Sequence, residues 1–276
     1  MPELPEVESV RRSLAPALEG ARIVSAAVRH PRLARRNESP FDVEDRLRGR
    51  LIRRMGRTGK FLLADIEGDF TWVTHLGMSG RIELADPGEP EKPHTHVVIT
   101  TDRSQEMRMV DPRTFGFVAV YTPEELAGST IAGLGPDALE DLPRSPVWVR
   151  RLAGRKVAIK TLLLDQRFLA GLGNIYADEV LHRARIRPDR PAGSLTVEET
   201  KRLRSAVAPI LRAGLRWGGT SLDDLAYLLP DGRAGEYLHR LQAYGREGLP
   251  CRRDGTPVER TVLGGRSSFW CPQCQQ

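Results

Sequence analysis

The sequence predicts an α+β protein of more than one domain: an N-terminal β-sandwich led by a helix, then a helical region, then a C-terminal β-hairpin module. Three observations predict this order. Short runs of β-branched and aromatic residues, separated by Gly, Pro and Asp, fill the first half. Apolar residues at helical spacing dominate from Val147 onward. The last 26 residues are mostly polar and carry all three cysteines.

The leading helix is predicted to begin at Pro5 and to end before Gly20, because proline is favoured in a first helical turn and glycine after the last one. Its apolar residues at near-helical spacing are Val7, Val10, Leu14 and Leu18. Strands are predicted at Ile23 to Val28, Leu51 to Ile52, Phe61 to Ile66, Phe70 to Leu76, Arg81 to Leu84, His96 to Thr100, Met107 to Val110 and Phe115 to Tyr121. Short strands at this spacing favour an antiparallel sandwich or barrel.

A stretch rich in Gly, Pro and small residues separates the two halves and is predicted to be a hinge. Helices are predicted beyond it at Val147 to Ala153, Ile159 to Leu164, Ile175 to Ala184, Thr196 to Gly214 and Leu222 to Leu229. The chain therefore divides into an N-terminal domain (1–132), a hinge linker (133–146), a helical domain (147–245) and a hairpin module (246–276).

Charge and composition narrow the function classes. The chain has 42 Lys and Arg against 36 Asp and Glu, a formal charge of +6 and a pI near 9.5. This balance favours a polyanionic partner such as nucleic acid, although a merely basic enzyme has the same charge. No apolar run reaches the roughly 18 residues of a membrane span, and no secretory signal opens the chain, so we expect a cytoplasmic protein. Three cysteines exclude a disulfide scaffold.

The N-terminal residues carry candidate chemistry. Pro2 follows the initiator methionine, whose removal would expose a secondary amine with a pKa of about 8, partly unprotonated at neutral pH. Attack of that amine on a sugar C1′ would give an iminium ion, which is an electron sink for elimination. Glu3 and Glu6, one helical turn apart, are candidate general acid and base. The same residues also fit an acidic helix start favoured by the helix dipole, and the spacing leaves both interpretations open.

The C-terminal cysteines have the spacing of a metal site. Cys251 and Asp254 are separated by two residues, and Cys271 and Cys274 follow with the same gap after sixteen residues. Two such pairs on a β-hairpin are typical of a four-ligand zinc ribbon, so we predict one structural Zn²⁺. Aspartate is an unusual fourth ligand, since structural sites prefer thiolate or imidazole, and a metal-free hairpin is the alternative.

Six separated motifs resemble those of the bacterial formamidopyrimidine-DNA glycosylases, the Fpg or MutM enzymes. They are PELPEVE at the N-terminus, Lys60 in GKFLL, HLGMSG from His75, DPRTFG from Asp111, AGLGNIYADEVL from Ala170, and RSSFWCPQC near the end. The resemblance covers residues 2 to 276 and implies a β-sandwich, a helix-two-turn-helix domain and a zinc finger. It departs from the family at Asp254, where the family has a cysteine.

The resemblance implies a bifunctional glycosylase and AP lyase that removes oxidised purines from duplex DNA and cleaves the strand by β,δ-elimination. Pro2 would be the Schiff-base nucleophile, Glu3 the proton donor to the sugar ring oxygen and Glu6 a nearby helper. Lys60 would contact a DNA phosphate and assist catalysis. The enzyme would need no redox cofactor or catalytic metal, and it would act as a monomer associated with the nucleoid.

The resemblance also implies the DNA contacts. Met78, Arg113 and Phe115 would fill the hole that the extruded nucleotide leaves, because unstacking a base costs a few kcal/mol and demands a filler. The residues implied to contact the DNA at phosphates or near the lesion are His75, Lys160, Asn174 and Arg266. The loop over the flipped base would include Thr220, Ser221 and Tyr227.

Two other functions remain open from the sequence. An endonuclease VIII-like glycosylase for oxidised pyrimidines would share the nucleophile and the fold, although HLGM and the Arg113 and Phe115 pair favour the purine enzyme. A non-catalytic protein that binds damaged DNA would keep the scaffold without turnover. The presence of Pro2, Glu3 and Lys60 argues against a pure binder.

Overall fold

Two compact units make up residues 1–103, 105–222 and 227–276, which are the residues that the computed structural model describes. The first unit contains residues 1–133 and 217–238, and the second contains residues 134–216 and 239–276. The described residues 217–222 and 227–238 therefore fold with the N-terminal unit, whereas the sequence-based division keeps them within 147–245. The linker and hairpin-module boundaries of that division stay predictions.

The first unit is a β-sandwich with a leading helix, which confirms the predicted fold class. Its helices are α1 (Leu4–Leu18), α2 (Pro40–Leu47) and α3 (Pro123–Ala127). Its strands are β1 (Ile23–Val28), β2 (Ile52–Thr58), β3 (Phe61–Ile66), β4 (Phe70–His75), β5 (Arg81–Ala85), β6 (Thr95–Thr101), β7 (Glu106–Val110) and β8 (Phe117–Tyr121). They form two antiparallel four-stranded sheets, ordered β1-β6-β7-β5 and β2-β3-β4-β8.

The core of this unit lies among the two sheets and helix α1. Alternate residues of β3 are buried, as expected for a strand with one face on a core. The apolar positions predicted for the leading helix, Val7, Val10, Leu14 and Leu18, are all fully buried in the same cluster. Helix α1 packs on β2 and β3, so its N-terminal end is fixed relative to the turn between those strands.

The second unit is helical and carries a β-hairpin. Its elements are α4 (Ser145–Leu152), α5 (Ile159–Leu164), α6 (Asn174–Ala184), α7 (Val197–Arg216), β9 (Glu259–Leu263) and β10 (Arg266–Trp270). Helices α6 and α7 approach closely at Gly214, where a Cβ atom would lie 2.5 Å from the ring of Tyr176. The predicted helix Leu222 to Leu229 falls largely on residues 223–226, outside the described residues. Within the described ranges no helix has both the length and the apolar character that a bilayer crossing needs.

Candidate active site and nucleic-acid interface

Pro2 and two carboxylates lie at the N-terminal end of α1. Met1 is exposed, whereas Pro2, Glu3 and Glu6 are buried. Glu6 lies in the first helical turn, and its Oε2 accepts a hydrogen bond from the Glu3 backbone N–H at 2.9 Å. The free N–H groups and partial positive charge of a helix N-terminus stabilise carboxylates at this position. The three predicted N-terminal residues are thus buried together, with Glu6 bonded to the Glu3 backbone.

Glu6 also binds the segment that is predicted to cover a flipped base. Its Oε1 accepts a hydrogen bond from the Thr220 backbone N–H at 2.7 Å. The residue before it, Gly219, has φ +86°, and a Cβ atom there would lie 2.8 Å from Glu6 Oε1. Only glycine meets both conditions without strain. One carboxylate therefore connects the N-terminus of α1 to residues 219 and 220.

The other predicted residues of this segment bind mainly within the segment, and Tyr227 also contacts Glu6. Ser221 Oγ donates to the Tyr227 carbonyl oxygen at 2.7 Å and accepts from the Gly235 N–H at 2.8 Å. Tyr227 Oη lies 2.9 Å from the Gly218 carbonyl oxygen and 3.3 Å from that of Glu6. Burial, and then the charge of Glu6, raises the pKa of Tyr227 well above its usual range, so the phenol is neutral. Contact of these residues with a flipped base stays a prediction.

Lys60 lies in the two-residue turn between β2 and β3, after Gly59 with φ +56°, and it is buried. A partly buried ion pair fixes this turn to α1: Arg57 Nε lies 3.4 Å from Glu8 Oε2, and Arg57 Nη1 donates to the Gly59 carbonyl oxygen at 3.0 Å. Burial opposes ionisation of Glu8, but hydrogen bonds from Arg11 and Arg12 and the charges of Arg11 and Arg57 lower its pKa to about 2. Glu8 is therefore an anion at neutral pH.

His75 ends strand β4 as a neutral side chain. Its Nδ1 accepts a hydrogen bond from the Gly77 N–H at 3.1 Å, and its ring stacks on Phe117 with centroids 5.7 Å apart. Burial, and then the positive charges of Lys60, Arg35 and Arg36, lowers its pKa to about 4. Because Nδ1 is the acceptor, the neutral ring carries its proton on Nε2.

The three predicted hole-filling residues lie in two adjacent turns. Met78 is 42% exposed and Phe115 is 37% exposed, so both apolar side chains are accessible at the surface. Arg113 is exposed, with its guanidinium 4.7 Å from the centre of the Phe115 ring. The turns meet backbone to backbone, since a Cβ atom on Gly77 would lie 2.4 Å from the Gly116 nitrogen.

Asp111 holds these two turns together. It is fully buried, its Oδ1 accepts from Ser79 Oγ at 2.7 Å, and its Oδ2 accepts from the Gly116 N–H at 2.7 Å. The first bond holds the turn of Met78 and the second holds the turn of Phe115. Asp111 is a positioning residue that the sequence analysis did not single out, although it opens the DPRTFG motif.

Lys160 and Asn174 meet at the C-terminal hairpin. Lys160 Nζ donates to the Ser267 carbonyl oxygen at 2.8 Å, and Asn174 Nδ2 donates to the same oxygen at 3.0 Å. Lys160 also forms a buried ion pair with Asp178, at 2.7 Å. Asp178 Oδ2 in turn accepts from the Phe269 N–H at 3.0 Å. The Lys160 ammonium is thus engaged in fixing β10 to α6, and its predicted phosphate contact stays a prediction.

Arg266 is exposed at the start of β10, directly after the two-residue turn of the hairpin. That turn is formed by Gly264 and Gly265, which have φ of +55° and +74°, as a tight turn between antiparallel strands requires. The glycine pair therefore places Arg266 at the tip of the hairpin, where its guanidinium is accessible. Its phosphate contact also stays a prediction.

The four predicted metal ligands converge. One Sγ or carboxylate oxygen from each of Cys251, Asp254, Cys271 and Cys274 lies within 4.8 Å of the other three. Backbone N–H groups of Arg253 and Cys274 point at the sulfurs of Cys251 and Cys271, each at 3.5 Å. N–H donors around thiolates and a donor set rich in sulfur fit Zn²⁺. The predicted zinc site is thus confirmed as a cluster of suitable ligands, which would hold the two ends of the hairpin together.

Glu8, Asp178 and His182 are further buried titratable residues that the sequence analysis did not consider. Asp178 and His182 follow Asn174 at intervals of four, which places all three on one face of α6. The interval of four between these polar residues was the signal that could have identified the last two.

The comparisons with known proteins cover every part of the chain. Residues 1–118 match the family model of the formamidopyrimidine-DNA glycosylase N-terminal domain, residues 134–225 match that of the H2TH domain of the same enzymes, and residues 248–276 match a zinc finger found in FPG and IleRS. A formamidopyrimidine-DNA glycosylase of Heliobacterium modesticaldum is 45% identical, with full coverage of both chains.

Solved structures agree with this result. The MutM (FPG) protein of Thermus thermophilus is 40% identical and superimposes with a TM-score of 0.89, covering 99% of this chain and 98% of that one. The Lactococcus lactis Fpg in complex with DNA that contains an abasic site is 31% identical, with a TM-score of 0.91 and full coverage of both chains.

Proposed function

The chain belongs to the formamidopyrimidine-DNA glycosylase family, and on that premise we propose that it is a base excision repair enzyme that removes oxidised purines from duplex DNA with Pro2 as its nucleophile. One observation carries the proposal. Buried Pro2 lies just before α1, Glu3 and Glu6 are buried next to it in the sequence, and the Glu6 carboxylate accepts hydrogen bonds from the backbone N–H groups of Glu3 and Thr220. A merely acidic helix start does not require buried carboxylates or a contact with residue 220.

After removal of Met1, the Pro2 nitrogen attacks C1′ of the damaged nucleotide. A bond forms between that nitrogen and C1′, and the bond from C1′ to the base breaks, with the electron pair leaving on the base. The proton released from the Pro2 nitrogen balances the charge of the departing base. Glu3 gives a proton to the ring oxygen, the sugar ring opens, and the product is an iminium ion on Pro2. Loss of a C2′ proton then breaks the bond to the 3′ phosphate, and a second elimination breaks the bond to the 5′ phosphate.

The charges around this site suit a polyanionic substrate. Lys60 lies at a turn that the Arg57 and Glu8 pair fixes to α1, which supports its proposed contact with a phosphate near the lesion. Neutral His75 offers an N–H donor on Nε2 beside it. The charge of Lys60 and the N–H group of neutral His75 both stabilise phosphate oxygens. Because the imidazole is neutral, it does not compete with Glu3 as an acid.

Exposed apolar side chains support the proposed extrusion of a base. Met78 and Phe115 are held at the surface by turns that Asp111 fixes, and Arg113 accompanies them with its hydrogen-bond donors. An apolar wedge fills the space that a flipped nucleotide leaves in the duplex, and a guanidinium next to it can donate hydrogen bonds to the unpaired base on the opposite strand. Arg266 and Asn174 are proposed phosphate contacts of the second unit, and Lys160 is proposed to position them.

We propose that the partner is damaged double-stranded DNA, bound by one copy of the chain in the cytoplasm at the nucleoid. The solved Lactococcus lactis relative is a complex with DNA that contains an abasic site, which supports this choice. The excess of basic residues is in keeping with it.

Borohydride trapping tests the nucleophile. Purified protein is incubated with an 8-oxoguanine:C duplex and sodium borohydride, and the cross-linked peptide is mapped by mass spectrometry. We expect one adduct, on Pro2, and a weaker one in Pro2→Gly, which replaces the secondary amine by a primary one at the same position, with duplex binding retained. Pro40→Ala, which changes a proline at the start of α2 in the same unit, is the matched control and should keep the adduct.

A second substrate separates the alternatives. A duplex with an oxidised pyrimidine, used in the same assay, should be cleaved more slowly than the 8-oxoguanine duplex. Faster cleavage of the pyrimidine duplex would support an endonuclease VIII-like specificity. Binding of all damaged duplexes with no adduct and no strand cleavage, by protein whose Pro2 is the first residue, would refute the catalytic proposal and support the DNA-binding protein.

A further inference from the structure

His182 of α6 lies beside the cysteine cluster with a ring nitrogen aimed at it. Its Nε2 is 3.4 Å from Cys251 Sγ and 3.8 Å from Cys274 Sγ, and the side chain is buried. We propose that His182 is a ligand of the zinc ion, so that the site is made of three thiolates and one imidazole, and Asp254 lies at its rim.

The distances fit coordination. Bond lengths of about 2.3 Å to sulfur and about 2.05 Å to nitrogen, at tetrahedral angles, place a ligand nitrogen about 3.6 Å from each ligand sulfur. The two distances from His182 Nε2 lie on either side of that value. A single ion would therefore reach the imidazole and both of these sulfurs with little movement of α6.

Asp254 is the weaker candidate for the fourth position. Its side chain is exposed, and its Oδ1 accepts a hydrogen bond from the Thr256 N–H at 3.0 Å. Both carboxylate oxygens lie 3.4 Å from Cys271 Sγ, so the side chain remains close to the cluster. Structural zinc sites are built from thiolate and imidazole far more often than from carboxylate.

Charge favours the same ligand set. Three thiolates and one carboxylate around Zn²⁺ give a net charge of −2, whereas three thiolates and one imidazole give −1. Burial penalises the larger charge more. The guanidinium of Arg253 is the nearby compensating group: its Nη1 donates to Cys274 Sγ at 3.2 Å and to the His182 carbonyl oxygen at 3.1 Å.

The proposal changes what the metal does in the fold. With Asp254 as the fourth ligand, the ion joins only residues of the C-terminal module. With His182, it bonds that module directly to α6, the helix that begins at Asn174.

Zinc-edge X-ray absorption on the unmodified, zinc-loaded full chain is the primary test. Imidazole bound to zinc gives multiple-scattering features from its outer ring atoms, which a carboxylate does not give. We expect these features together with three sulfur neighbours. A spectrum with sulfur and oxygen neighbours and no imidazole features overturns the proposal, and so does a chain that binds no zinc.

Variants give an independent measurement. His182→Gln keeps a donor for the Cys251 sulfur but removes the imidazole, and we expect at least a tenfold loss of Zn²⁺ affinity in competition with a chelator, since even outer partners of ligands account for about 10- to 100-fold. Asp254→Asn should lose less than about threefold, because its carboxylate lies outside the four proposed ligands. His239→Gln, an exposed histidine of the same unit, is the matched control.

Cobalt separates ligation from a hydrogen bond to sulfur. Co²⁺ bound to the full chain should show intense sulfur-to-metal charge-transfer bands, and its ligand-field bands should shift in His182→Gln but not in Asp254→Asn. The opposite pattern, with the shift and the affinity loss in Asp254→Asn alone, overturns the proposal. If His182→Gln does not fold, the X-ray absorption spectrum of the unmodified chain decides.

Discussion

Removing the Lys160 ammonium should destabilise the second unit more than any surface change. The side chains of Lys160 and Asp178 are 1% and 0% exposed, and their charged atoms are 2.7 Å apart. Lys160→Met keeps the length and apolar stem but leaves the Asp178 carboxylate buried without its cation. Because solvent does not screen this pair, the cost is that of an uncompensated buried charge, about 3–5 kcal/mol.

This cost should be visible in thermal unfolding. At about 2–4 °C per kcal/mol for domains of this size, the Tm should fall by about 6–20 °C. The double variant Lys160→Met with Asp178→Asn removes both charges and keeps an acceptor for the Phe269 N–H, so we expect it to recover more than half of the loss. Recovery of this kind would show that the unpaired charge, and not the lost packing, is the cause.

The pH dependence has a definite sign. Burial raises the pKa of Asp178 from 3.8 to about 7, and Lys160 opposes that rise, so the pKa should be higher still in Lys160→Met. A carboxyl whose pKa is higher in the folded protein than in the unfolded chain favours folding when it is protonated. The free energy of unfolding therefore falls as the pH rises from the unfolded-state pKa through the folded-state pKa. The Tm deficit of Lys160→Met should therefore be smallest near pH 5 and largest near pH 8.

Scanning calorimetry of the full chain between pH 5 and 8 measures these effects. Lys201→Met is the matched control, because Lys201 pairs at 2.8 Å with Glu198 while both side chains are more than half exposed. An exposed pair contributes about 0–1 kcal/mol, so its Tm should change by a few degrees at most. A Lys160→Met protein as stable as this control at pH 8, or a double variant no more stable than the single one, would refute the reasoning.

Two further predictions concern the active site. Phe115→Ala removes an exposed ring. In single-turnover assays, base release from an 8-oxoguanine duplex should slow at least about tenfold, whereas cleavage at a preformed abasic site should slow less. Equal losses on both substrates would contradict a role of Phe115 in base extrusion. Gly219→Ala places a Cβ 2.8 Å from Glu6 Oε1, so excision should fall while duplex binding persists. Gly232→Ala is the matched control, because Gly232 has φ +83° and a Cβ atom there would have no neighbour within 4 Å. Equal losses of excision in the two variants would mean that backbone strain at positive φ, and not the contact with Glu6, is responsible.

Most of the fold could be predicted from apolar periodicity, and the errors have local causes. Strand β3 matches its prediction because its alternate residues bury against the core. Strand β8 begins at Phe117, two residues later than predicted, because the Gly116 N–H is bound by Asp111 in a turn. Helix α2 was missed because it buries only Val43 and Leu47, too few for a periodic signal.

The candidate site could be predicted in its residues but not in their partners. The N-terminal residues themselves suggested Pro2, Glu3 and Glu6, the resemblance assigned their roles, and the structure buries all three at the start of α1. The resemblance also supplied Lys160 as a phosphate contact. Its buried partner Asp178 lies eighteen positions later, and only folding places the two charges in contact.

One face of α6 organises the C-terminal hairpin. Asn174 donates to the Ser267 carbonyl oxygen, Asp178 accepts from the Phe269 N–H, and His182 lies against the cysteine cluster. Because these residues repeat every four positions, the helix holds the hairpin at successive points from the strand to the metal ligands. Loss of the metal and loss of the Lys160 ammonium should therefore weaken the same attachment, and both should reduce DNA affinity through the exposed arginine at the hairpin tip, while the first unit keeps its stability.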